Sequence, residues 1–117
     1  MLPMKSTRAA TAASATVPEL TERQKRHLRG LAHPLKPLIR IGNGGVSEAL
    51  VREMARALED HELIKVKAPG GDRQARDAML AELARRSAST LVHRIGNVAV
   101  YYRENPELPK KLLIPDA

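Results

Sequence analysis

Three glycines in four positions, Gly42-Asn43-Gly44-Gly45, follow a basic stretch and precede Ser47 by two residues. Glycine has no Cβ, so such a run lets a partner come close to the peptide N–H groups. If a helix starts at Ser47, it adds unpaired N–H groups and the positive end of its dipole, which together stabilise an anion. A plain tight turn uses the same residues with no ligand at all. Known phosphate loops narrow the choice. A Walker A loop needs Lys and then Ser or Thr after its last glycine, and Val46 stands there instead. A dinucleotide fingerprint needs a third glycine where Ser47 stands, and a longer doubly wound sheet than 117 residues can build.

What remains is G-x-x-G, a pattern by which small RNA-binding modules clamp a nucleic-acid backbone. The charge distribution supports a polyanion. The chain carries 20 Lys+Arg against 13 Asp+Glu, a formal +7 with a pI near 10.3. Residues 21–45 hold Arg23, Lys25, Arg26, Arg29, Lys36 and Arg40 against Glu22 alone. In residues 46–62 the balance reverses, with Arg52 and Arg56 against Glu48, Glu53, Glu59, Asp60 and Glu62. The excess therefore sits directly before the glycines. Lys25, Arg26, Arg29, Lys36 and Arg40 are the expected phosphate contacts, with Gly42, Asn43, Gly44, Gly45 and Ser47 forming the loop and helix start.

Other chemistry is poorly provided for. No cysteine is present, so disulfides, thiolate metal sites and cysteine nucleophiles are excluded. His27 and His33 are six apart, too far for adjacent turns of one helix face, and His61 and His93 have no ligand-spaced companions. Neither a metal site nor a cofactor is expected. His33-Pro34 suits the turn after a helix, and His33 is a secondary candidate for RNA contact. Glu59, Asp60 and Glu62 read as solvated acids at a helix end, and Ser47 as a cap rather than a nucleophile. No enzyme and no small-molecule substrate are expected. Lys65 and Lys67 share one face of a strand, either as a solvated surface or as RNA contacts. Tyr101 and Tyr102 point to opposite faces, so at most one can stack on a base while the other packs inward. With no Phe and no Trp, recognition of backbone and shape is expected over base reading.

These residues need elements to position them. Thr21 and Gln24 have the spacing of a capping box, Leu28, Leu31 and Ala32 make a narrow stripe, and Pro34 ends the first helix. "PLIRI" reads as a short strand. Ser47 caps a second helix with Leu50, Val51, Met54 and Leu58 at helical spacing, ending near His61. "LIKVKA" alternates as a strand, with Ile64 and Val66 on one side. Asp72 caps a third helix whose Ala75, Met79 and Leu83 face inward while Arg73, Arg76, Arg85 and Arg86 stay outside. "TLVHRI", Gly96-Asn97 and "VAVYYR" form a hairpin with a primed turn. The order is α-β-α-β-α-β-β, an α/β single domain with a mixed sheet and helices packed on it. Residues 1–18, rich in Ala, Ser and Thr, read as a disordered tail, 19–104 as the domain, and 105–117 as an extended tail with an apolar patch at 112–114. No apolar run approaches a membrane span, and a monomer in the cytoplasm is expected. The tail also has the composition of a transit peptide, which leaves an organellar setting open.

From residue 20 to 102 the chain resembles the CRM domain, an RNA-binding module of chloroplast splicing factors, and above all its stand-alone bacterial YhbY-like form. "GLAHPLKP", the glycine loop and "HELIKVK" carry the likeness. The resemblance implies a fold similar to the C-terminal domain of a bacterial translation initiation factor, RNA as ligand, and assembly of the large ribosomal subunit as the setting. It puts the family's G-x-x-G on Gly42 to Gly45 and its basic helix on Lys25, Arg26 and Arg29. An organellar intron-splicing role and a protein-interaction domain using the basic helix are the alternatives.

Overall fold

The computed structural model describes residues 19–108. The tail readings for 1–18 and 109–117, including the apolar patch, lie outside the described residues. The elements are α1 (Glu22–Ala32), β1 (Ile39–Arg40), α2 (Glu48–His61), β2 (Leu63–Lys67), α3 (Arg73–Arg86), β3 (Thr90–Ile95) and β4 (Val98–Tyr102). Each helix begins at the cap its sequence provides. Thr21 Oγ1 accepts from Gln24 N–H while Gln24 Oε1 accepts from Thr21 N–H, a full capping box. The Ser47 hydroxyl accepts from Leu50 N–H at 3.1 Å and the Asp72 carboxylate from Ala75 N–H at 3.0 Å.

The four strands lie in the order β1-β2-β4-β3. β1 runs parallel to β2, and β4 is antiparallel to both β2 and β3. Two crossover units, β1-α2-β2 and β2-α3-β3, thus share one sheet, with the last strand inserted at its centre. Side chains alternate across a strand, so the sheet has two distinct faces. One packs Ile39, Ile64, Val66, Ala99 and Tyr101 against Leu50, Met54 and Leu58 of α2 and Leu80 and Leu83 of α3. The other packs Leu63, Val92, Val100 and Tyr102 against Leu28 and Ala32 of α1.

The structure departs from the sequence expectations at five places. "PLIRI" forms regular ladder pairs only at Ile39–Arg40, although Leu38 N–H and Ile41 N–H also donate to Lys65 and Lys67 carbonyls at 3.0 and 2.9 Å, before the chain leaves the edge at the glycines. Leu31 leaves the expected α1 stripe and is exposed, since α1 touches the sheet along a single narrow line. In α3, Ala75 is exposed while Arg76 turns inward, with Nε buried and unpartnered. Alanines surround that helix, so spacing did not single out a face, and Leu80 joins Leu83 as its buried anchor. Both tyrosines are buried, one in each cluster, because both sheet faces are covered where they lie. The Tyr101 hydroxyl donates to Leu80 C=O at 2.8 Å, and burial pushes its phenol far above the ordinary value. Tyr102 is pushed up to about 12, by burial first and then by Glu62 and Glu104.

The fifth departure is Glu62, 1% exposed rather than solvated. It ends α2 in the left-handed region at φ 63°, where a non-glycine residue stores strain. Its C=O accepts from Arg103 N–H at 2.9 Å and its carboxylate from Asn105 N–H at 2.7 Å. The Arg103 guanidinium donates to Ser87 and Ala55 carbonyls at 2.7 and 3.2 Å, and Asn105 Nδ2 to Glu59 C=O at 2.7 Å. The chain after β4 therefore clasps the end of α2. Glu62→Ala keeps the strain and strands the Asn105 N–H, a loss of about 2 kcal/mol by the usual worth of a charge-assisted bond. Urea unfolding should show this as a lower midpoint with an unchanged slope, and Glu62→Gln, which keeps an acceptor, should fall between the two.

Candidate nucleic-acid interface

The pairing register decides which basic side chains meet. Ile39 opposite Val66 is buried on the α2/α3 face, so the next pair, Arg40 opposite Lys67, points to the α1 face. Lys65 shares that face two residues earlier. Across the next boundary Lys67 faces Val98 and Lys65 faces Val100, and beyond them stand Ile95 and His93. The register shifts between Leu91 and His93, leaving Val92 as the extra residue of a bulge. Val92 and His93 are thereby both turned toward α1.

α1 covers only one end of this face. The open remainder is a groove of about 590 Å³, rimmed by Arg29, His33, Lys65 and His93 and floored by Ile95, Val98 and Val100. Lys65 Nζ donates to the carbonyls of His33 and Leu35 at 3.3 and 3.0 Å, which ties the C-terminal end of α1 to the sheet while keeping its charge at the groove. Partial burial, and after it the Arg29 guanidinium, hold the His93 imidazole below its ordinary value, so the ring is neutral at pH 7.

The glycine loop stands at the edge of the same face. Ile41 N–H donates to Lys67 C=O at 2.9 Å, and Gly45 N–H closes a turn onto Gly42 C=O at 3.0 Å. Gly45 alone of the three has positive φ, +67°, with Met79 Sδ 4.0 Å from the position of a Cβ. A Cβ on Gly42 or Gly44 would meet nothing within 4 Å. Neither backbone conformation nor packing thus requires glycine at those two exposed positions. α3 braces the loop: Arg86, exposed as expected, donates from Nη1 to Val46 C=O at 2.9 Å and pairs with Glu82 at 3.4 Å. The Ser47 hydroxyl is committed to capping, and the N–H groups at the start of α2 open next to the loop.

Of the expected contacts, Arg29, His33, Arg40, Lys65, Lys67 and the loop come together on one side. Arg26 stands one turn before Arg29 on α1 and is exposed. Lys25 lies half-buried in the first turn, 3.8 Å from Glu22. Lys36 is on the opposite flank of α1, beside Leu31, Leu35 and Leu38 in a second, apolar cavity of about 380 Å³. His93, considered from sequence only as a metal ligand, and Ile95 and Val98 were not among the expected contacts, although a two-residue turn at Gly96-Asn97 already sets Ile95 opposite Val98. Sequence reasoning also passed over Gly30, a glycine inside a helix, where it costs about 1 kcal/mol relative to alanine. Among the described residues no three His, Asp or Glu side chains gather as a metal would need. No helix among them is long and apolar enough to cross a membrane.

Three helices on a four-stranded mixed sheet, with a cationic groove and an open glycine loop on one side, define a small α/β module. The chain belongs to the CRS1 / YhbY (CRM) domain family, which matches residues 20–103. It is 44% identical over 93 residues to the Pseudomonas aeruginosa protein named Probable RNA-binding protein PA4753, covering 80% of this chain and 89% of that one. A Haemophilus influenzae protein named RNA-binding protein is 38% identical over 96 residues, covering 79% and 97%. The solution structure of SAV1595 from Staphylococcus aureus superposes with a TM-score of 0.71 at 37% identity, covering 83% of this chain and all of that one.

Proposed function

We propose that this protein binds ribosomal RNA in precursors of the large ribosomal subunit and assists their assembly, as a monomer in the cytoplasm and without catalysis. One observation carries the reading. The glycine loop, open where no turn requires it to be, lies at the edge of a face on which Arg40, Lys67, Lys65 and Arg29 converge. Such a site offers backbone N–H groups to one phosphate and cations to its neighbours, which is how a folded RNA is held by shape. The family and the names of its relatives support RNA as the polyanion. Both tyrosines are buried and the sequence has no Phe or Trp, so no Tyr, Phe or Trp ring is offered for stacking and contacts fall on backbone and groove.

The test is sedimentation of a lysate through a sucrose gradient. The protein should co-migrate with large-subunit precursors and be released as salt is raised, and crosslinks should fall on a confined structured region of the large-subunit RNA. Migration only with free protein, or crosslinks scattered over unstructured RNA, would count against it.

A further inference from the structure

The groove between α1 and the β3–β4 hairpin is more than a cationic surface. Its floor is aliphatic, with Ile95, 70% exposed, beside Val98 and Val100. Its rim carries Arg29, His33, Lys65 and His93, and no acid lines it. Gly30 lines it as well, within α1, where a Cβ would meet nothing within 4 Å and glycine weakens the helix. A side chain at that position would project into the groove, and nothing in the packing of the protein asks for it to be missing.

We infer that this groove seats one unpaired nucleobase of a bound RNA, with the phosphates on either side of that nucleotide held by the rim. The inference rests on the RNA-binding reading above and adds the chemistry of one subsite. A base brings a flat apolar face to Ile95 and Val98 and anionic phosphates to Arg29 and Lys65, matching both halves of the lining. An acidic peptide would match the rim and leave the floor bare. The His93 ring nitrogens line the groove within reach of the edge of a base. The aliphatic floor here takes the place of an exposed Tyr, Phe or Trp ring, which this chain does not supply.

The test uses one RNA hairpin in three forms: with a single bulged nucleotide, with an abasic ribose at the bulge, and fully paired. The first two carry the same phosphates, so their difference isolates the base. The wild-type protein should bind the bulged form about tenfold more tightly than the abasic one, the factor expected from burying roughly 50 Å² of apolar surface. Gly30→Leu should remove that preference, keep salt-dependent binding to all three RNAs, and melt at the same or a higher temperature. Ile95→Asn, at an exposed position, should also remove it without loss of fold. Equal affinity for bulged and abasic forms, or a preference that survives both variants, overturns the subsite while leaving the broader reading intact. Failure to bind any of the three forms in a salt-dependent way overturns both. Binding of polyglutamate that Gly30→Leu abolishes, with no preference for the base, assigns the groove to a peptide and overturns it too.

Discussion

Arg40→Glu is expected to make the protein more stable and a poorer ligand for RNA. Arg40 and Lys67 are direct partners in the parallel β1-β2 ladder and point to the same face, so like charges oppose one another across the strands. Cross-strand pairs of this kind are worth about 0.2–1 kcal/mol, and reversing one charge turns repulsion into attraction. Urea unfolding should show the gain as a higher midpoint. The same change removes one phosphate contact and places a carboxylate beside the glycine loop, so affinity for structured ribosomal RNA should fall about 30-fold at low salt. The slope of log affinity against log salt should become shallower by about 1 to 2. Lys67→Glu should behave alike. The double variant restores like charges and should lose the stability gain while binding least of all. A stability gain with undiminished RNA affinity would remove this face from the interface.

The second large effect concerns the loop. Sequence pattern pairs Gly42 with Gly45 as the G-x-x-G frame, with Asn43 and Gly44 at its tip. The structure divides the glycines differently: Gly45 serves the turn, whereas Gly42 and Gly44 leave space that the protein itself does not use. Changing Gly42 and Gly44 together to Leu should cost the fold nothing, or raise its melting temperature slightly through a less flexible unfolded chain. Side chains there would hold RNA away from the peptide N–H groups, and affinity should drop about 100-fold. Gly45→Ala must instead adopt φ near +67° and should cost about 1 kcal/mol of stability. Melting curves and filter binding on one RNA separate the two classes. Unchanged binding by the Gly42/Gly44 variant would make the loop structural only.

Local chemistry was read well from sequence because it acts within a few residues. Thr21 with Gln24, Ser47 and Asp72 each name a helix start, and Gly96-Asn97 names a two-residue hairpin. What sequence could not supply was pairing across distance. That Arg40 meets Lys67 depends on a crossover through α2, and that His93 faces Arg29 depends on a bulge of one residue. Lys65 looked like a surface or ligand residue, and only the folded chain shows it also fastening the end of α1. Glu62 looked solvated because its partners, Arg103 and Asn105, arrive from about forty residues later. The candidate RNA-contact residues were thus named mostly as types, while the side they share, and the groove between them, came from the register.

The position of β4 has a consequence for synthesis. Among the described residues, the strand translated last lies at the centre of the sheet, bonded on one side to β2 and on the other to β3. Until residues 98–102 leave the ribosome, β2 and β3 have no common neighbour, and Ala99 and Tyr101 are missing from one core while Val100 and Tyr102 are missing from the other. Folding therefore cannot proceed element by element from the N-terminus. It waits on long-range contacts closed late, a topology that folds slowly relative to a helical bundle of similar size. The nascent chain exposes its glycine loop early, but the face beside it exists only once the hairpin has been inserted.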